Sequence, residues 1–268
     1  MLRDITLGQY YAAESPIHKM DARTKILWTL FYTVILFMID GVFMYGVLAA
    51  FTAYVIYASK VPIKFILRGI RPILFLIIFT AILNLFMTPG ENVIFTFGAA
   101  KVTLEGLHLA VKMTVRIILL IIGTSMLTLT TTPTVLTGGL EILLTPLKKI
   151  GVPVSVFVMM MSIALRFIPT LLDETDKIIK AQTSRGADFE NKNPVIRVKA
   201  MLPILIPLFI SAFRRADELA VAMECRCYNC DAPRSAYRRY KFGKYDLYAL
   251  FALVLLCAVL IIIKGCAL

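Results

Sequence analysis

The chain has 268 residues, 59% of them hydrophobic and 17% charged, with a formal net charge of +12. So large an apolar share excludes an ordinary soluble domain and leaves room for roughly five to seven membrane spans of about 20 residues. The positive excess does not mark a nucleic-acid surface. Of the 29 basic residues, 14 lie between Lys177 and Lys244 and most others border apolar runs, the distribution that orients membrane proteins.

The first 25 residues mix Arg3, Asp4, Glu14, Lys19, Asp21 and Arg23 without an apolar core, so they do not read as a cleavable signal peptide. Residues 26–39 read as the first span, Asp40-Gly41 as a tight turn and 42–58 as the returning span. A basic loop follows over 60–71 (Lys60, Lys64, Arg68, Arg71), then a third span over 73–87 after Pro72. Thr88-Pro89-Gly90 ends it, and alternation near 92–104 predicts a small hairpin. Residues 106–130 form the fourth span, with Lys112 and Arg116 on one face near its outer end. The last span is 245–263.

The region 131–243 is helical but not plainly spanning. Pro133 opens a short helix ending at Gly151, and Pro153 opens a second that begins apolar and turns charged. In it Asp173–Lys177 and Asp176–Lys180 are spaced as i,i+4 ion pairs. This second helix is expected to dip into the inner leaflet rather than cross. A third begins after Pro194, is kinked by Pro203 and Pro207, and carries a small-residue stripe at Ala212, Ala216 and Ala220.

The expected fold is thus all-α: a polytopic membrane protein with about five transmembrane helices and three cytoplasmic or interfacial coupling helices. Its parts are an N-terminal membrane domain (1–130), a coupling domain (131–243) and a C-terminal transmembrane helix (244–268). The charge bias places the N-terminus and the 60–71 loop inside and the C-terminus outside.

Two sites stand out. Ser184-Arg185-Gly186 and Glu224-Cys225-Arg226-Cys227 each close a helix that starts apolar and ends polar. A guanidinium is a rigid bidentate donor that does not titrate, which suits gripping a protein partner better than catalysis. Taken alone, each arginine is also compatible with simple complementation of the helix dipole. Cys225, Cys227 and Cys230 lack a nearby fourth ligand, so no metal site is read, and no cofactor motif or phosphate-binding loop occurs.

The chain resembles the transmembrane T component of energy-coupling factor transporters, and is most similar to the scaffold subunit shared among vitamin transporters. The resemblance rests on the stretch from Asp4 to Tyr11, on Ser15-Pro16-Ile17-His18-Lys19-Met20-Asp21-Ala22-Arg23-Thr24-Lys25 (Ala22 where proline is usual), and on Ala164 to Pro169. Gln182 to Asp188 and Arg214 to Tyr228 resemble the two arginine motifs. Ser184 there replaces an alanine, and Cys225 and Cys227 replace an alanine and a glycine. The resemblance implies a multi-pass protein of the prokaryotic cell membrane that docks two ATPase subunits through these motifs. It also implies one substrate-binding S component for a vitamin or related micronutrient, and no enzyme activity in this chain. Met159, Met160 and Met161 are the expected S-component surface, methionine being an adaptable packer. Two other readings stand beside this one: a self-sufficient permease using Asn84, Lys112 and Arg116, and an intramembrane enzyme using the carboxylates of Asp173-Glu174-Thr175-Asp176.

Overall fold

The computed structural model describes residues 10–89, 92–97, 100–187, 189, 194–229 and 242–266. Motif residues 4–9, Asp188 and Cys230 lie outside the described residues. α1 (Ala22–Met38) starts at Asp21, whose carboxylate accepts the Arg23 N–H at 3.2 Å as an N-cap. After the Asp40-Gly41 turn, α2 (Val42–Ser59) runs back and stops at Lys60, which takes a left-handed φ of 55°.

The stretch expected as a basic loop is instead helical. α3 (Ile63–Ile70) buries Ile66 while Lys64 and Arg68 stay exposed, so it is an amphipathic helix rather than a connection. Pro72 has no N–H, and there the chain tightens into a 3-10 turn over Arg71–Ile73 before α4 (Leu74–Met87).

The hairpin forms as expected, β1 (Val93–Phe97) pairing antiparallel with β2 (Ala100–Thr103). Thr103 then caps α5 (Leu104–Thr130) by accepting the Gly106 N–H at 3.1 Å. α6 (Pro133–Leu144), α7 (Val154–Ser184), α8 (Pro194–Glu224) and α9 (Lys244–Cys266) complete the chain.

Among the described residues, five segments are long and apolar enough to cross a membrane: Val42–Ser59, Ile63–Met87, Leu104–Thr130, Val154–Ser184 and Lys244–Lys264. The number is the expected one, but the membership differs. α1 has only 17 residues, about 25 Å of helix, against a hydrocarbon core of about 30 Å. α7, expected only to dip into the inner leaflet, qualifies through its apolar N-terminal part, and it runs unbroken through Pro169 as one 31-residue helix.

The described residues fall into two compact units, 10–143 with 242–266, and 144–229. α6 groups with α1 to α5 and α9 rather than with α7 and α8. In the first unit α5 packs against α1, α2, α3 and α4. Its apolar core joins Tyr32 and Leu36 of α1, Leu48 of α2, Leu119 of α5, and Leu256 and Leu260 of α9. A second cluster links Val61 and Ile66 to Met126 and Leu129.

Polar groups in this unit close helix ends. Lys112 reaches Asp40 at 2.7 Å, and Arg116 donates to the Tyr45 hydroxyl at 2.8 Å and to the Ile39 carbonyl at 3.1 Å. Together they tie the α1–α2 turn to α5. At the other end Lys25 donates to the Thr130 carbonyl at 2.9 Å and to the Thr131 hydroxyl at 3.2 Å, neutralising the C-terminal end of α5. The Asp21 N–H donates to Asp246 of α9 at 2.9 Å.

Tyr32 fits against α5 only because residue 123 is glycine. A Cβ there would lie 2.4 Å from its ring, while its hydroxyl bonds Thr52 at 2.9 Å and the Leu119 carbonyl at 3.2 Å. Gly123→Ala should therefore displace the ring and cost about 1–3 kcal/mol, read as a lower thermal unfolding midpoint of the purified protein. Gly46→Ala on α2, where a Cβ meets open space, serves as the control and should not lower the midpoint.

Candidate partner-docking site

The sequence motif residues Ser184, Arg185, Gly186, Glu224, Cys225, Arg226 and Cys227 are all exposed, and they occupy matching backbone positions at the ends of α7 and α8. At the first, Gly186 takes a φ of +88°. Its N–H bonds the Thr183 carbonyl at 2.9 Å, and the Ala187 N–H bonds the Gln182 carbonyl at 3.0 Å. At the second, Cys227 takes a φ of +56°. Its N–H bonds the Glu224 carbonyl at 2.8 Å, and the Tyr228 N–H bonds the Met223 carbonyl at 3.0 Å. Both are complete Schellman stops, each with its arginine on the capping residue. The cysteine that replaces the usual glycine leaves this geometry intact, although a left-handed non-glycine residue carries a strain of about 1–2 kcal/mol.

Among the described residues, the guanidinium of neither Arg185 nor Arg226 has a hydrogen-bond or ion-pair partner; only their backbone N–H groups are bonded, to Gln182 and Met223. Ser184 is turned back on its own helix, donating to the Lys180 carbonyl at 3.1 Å. Cys225 and Cys227 are free thiols.

α7 and α8 pack against each other, and the ion pair that joins them was not foreseen in the sequence, where Glu174 figured only in the carboxylate stretch of the enzyme reading. Glu174 of α7 accepts from Arg215 of α8 at 2.8 Å and closely from the Ser211 hydroxyl. The i,i+4 pairs expected from Asp173 and Asp176 to Lys177 and Lys180 are not closed. A second bond follows from a proline. Pro207 has no N–H to offer the carbonyl four residues earlier, and that carbonyl, of Pro203, accepts from Gln182 at 3.5 Å. Contacts of 174 with 211 and 215, and of 182 with 203, make the crossing antiparallel.

Each arginine lies eleven residues beyond its helix's member of the Glu174–Arg215 pair. Eleven residues are three turns, about 16 Å, so both arginines project at equal reach and near the same face as the pair. Antiparallel helices then carry the two tips away from each other, up to about 33 Å apart. That spacing was the one sequence signal for the pair. Of the proposed methionines, Met160 is exposed while Met159 and Met161 are half-buried. A longer exposed apolar stripe runs along α8 through Val198, Leu202, Leu205, Phe209 and Phe213. Ala212 of the small-residue stripe is half-buried, and Ala216 and Ala220 are exposed.

The N-terminal motif plays a structural part. Ser15 donates to His18 Nδ1 at 2.7 Å, and His18 Nε2 donates to the Tyr11 carbonyl at 2.9 Å, which fixes the tautomer because a carbonyl can only accept. Burial holds the His18 pKa below the ordinary imidazole value, keeping that neutral arrangement near pH 7.

Comparison with known proteins identifies the family. Residues 13–237 match the CbiQ family, described as cobalt transport protein. The chain is 53% identical over 247 residues to the energy-coupling factor transporter transmembrane protein EcfT of Ruminiclostridium cellulolyticum, covering 92% of each chain. It is 52% identical to EcfT of Clostridium kluyveri (96% of each) and 42% identical to EcfT of Bacillus subtilis (99% of this chain, 100% of the relative). The chain therefore belongs to the family of energy-coupling factor transporter transmembrane proteins, the T components of these transporters.

Proposed function

We propose that this T component is the scaffold that links ATP hydrolysis in two partner ATPase subunits to substrate delivery by one S component for a vitamin or related micronutrient. The observation that carries the reading is the matched pair of helix ends, with the same stop, the same capping arginine and the same reach from a shared ion pair. Two equivalent tips suit two related partners. Arg185 and Arg226 would each enter a groove on one ATPase subunit, with Ser184, Gly186, Glu224, Cys225 and Cys227 shaping the surface around them. Hydrolysis belongs to those subunits. The S component would lie against Met160 and the exposed stripe of α8, with Met159 and Met161 alongside. Lys112 and Arg116, which a self-sufficient permease would use, are engaged in holding the α1–α2 turn.

Breaking a buried charge pair typically costs about 3–5 kcal/mol, whereas an exposed helix-end charge is worth about 1 kcal/mol or less. Arg185→Ala or Arg226→Ala should therefore weaken ATPase-subunit copurification at least tenfold or uncouple hydrolysis from uptake, with the membrane part still folded. Lysine should rescue poorly, because it lacks the fork. Normal assembly and transport in the double alanine variant would reduce both arginines to helix caps.

The second stop gives a graded test. Cys227→Gly keeps the left-handed turn and should preserve docking, while Cys227→Val, branched at Cβ, should unwind the turn and weaken copurification. The proposed topology puts the N-terminus inside and the C-terminus outside. Single cysteines at Thr96 and Lys148 in a cysteine-free chain should then label from opposite faces of the membrane, and labelling from one face would overturn it.

A further inference from the structure

The membrane unit contains a cavity of about 400 Å³ bounded by α1, α2, α5 and α9. Trp28, Phe51, Val55, Met126, Leu127 and Ala252 line it, so its walls are almost wholly apolar. Of the polar groups that also line it, Lys25 has its donors taken by the Thr130 and His18 carbonyls and the Thr131 hydroxyl, the Tyr32 and Thr52 hydroxyls bond each other, and Thr29 and Thr130 donate to carbonyls of their own helices. An apolar cavity of 150 Å³ already holds benzene, so this one takes a substantially longer hydrocarbon.

Its position says which. The lining includes Met20 just before α1, Ala58 in the last turn of α2, Thr130 at the end of α5 and Tyr245 in the first turn of α9, all at one end of the unit. It reaches inward to Tyr32, ten residues into α1, or about 15 Å. That depth is one leaflet of a 30 Å hydrocarbon core. Tyr54 and Tyr248, which are 66% and 68% exposed, stand at its edge as interfacial aromatics do. Exposed Lys19, Lys60 and Lys244 lie within two residues of lining positions at the same end, where a lipid headgroup would sit.

We propose that this cavity is a lipid site, holding one acyl chain of an anionic phospholipid whose headgroup meets Lys60 and Lys244. The chain's only tryptophan lines the cavity and reports on it directly. The full-length protein is placed in phosphatidylcholine vesicles, and brominated-acyl phosphatidylglycerol or brominated-acyl phosphatidylcholine is titrated in. Quenching of Trp28 should saturate with the anionic lipid at low mole fraction, with a preference of about fivefold for each lysine engaged. Lys60→Gln with Lys244→Gln should erase the preference while the cavity remains. Ala252→Phe should abolish the saturable phase and leave only the linear quenching of bulk lipid. Ala58→Leu provides an independent filling variant, and circular dichroism confirms that each variant is folded. Linear quenching in the wild type, equal for both lipids, would overturn the proposal, as would saturable quenching that persists in both folded filling variants. A saturable phase present in the free chain but lost in the assembled transporter would assign the cavity to a partner subunit and equally overturn it.

Discussion

Hydrocarbon offers no hydrogen bonds, so a membrane helix that ends inside or beside it must have its last carbonyls and first amides closed by the chain itself. That constraint explains where the charges of the membrane unit went. Lys25 closes the end of α5, Arg116 takes the Ile39 carbonyl at the end of α1, and Asp246 accepts the Gly243 N–H at 2.7 Å together with that of Asp21. Each polar side chain spans between two helices, so satisfying an end also fixes a neighbour. The apolar core of Tyr32, Leu36, Leu48 and Leu119 then packs within a frame these bonds set. Burial alone would not choose that frame, since lipid tails are as apolar as leucine.

The same logic separates what could be read in the sequence from what could not. Local signals were legible. Asp40-Gly41 marked a turn, alternation from Val93 marked a hairpin, and Gly186 marked a helix stop. The bonds that organise the fold join residues far apart: Lys25 with Thr130, Asp21 with Asp246, Glu174 with Arg215. No periodicity announces them. α3 was missed because eight residues with two basic side chains among them and Lys60 and Arg71 beside them resemble a loop in composition, and its single buried contact, Ile66, appears only against Met126 and Leu129. The extent of α7 was legible, from Pro153 to the glycine that permits a left-handed turn, whereas its pose was not: charge placement argued for a helix that dips into the bilayer, while its length and apolar N-terminal part suit a crossing.

Cys227 shows how far a motif can drift while its backbone holds. The second stop needs a left-handed residue after Arg226, and glycine is the unstrained choice. Cysteine is small and unbranched at Cβ, and two backbone bonds, from its own N–H and from Tyr228, compensate the strain. The sequence pattern changes and the geometry does not. Judged by letters the two motifs diverge, whereas judged by hydrogen bonds they are the same structure.

That equivalence also bears on why the arginine side chains find no partner among the described residues. A helix end already complete in its backbone bonds asks nothing of the capping side chain, so the guanidinium is not needed to close the turn. Glu174 and Arg215 contribute the complementary half of the arrangement. They are only partly buried, with side chains 23% and 33% exposed, so their pair adds modestly to stability. Its value lies in placement, because it sets a common origin from which both helices extend the same three turns. Two tips defined by equal lengths of rigid helix move together with that crossing, and any change in the angle between α7 and α8 appears at both arginines in equal measure.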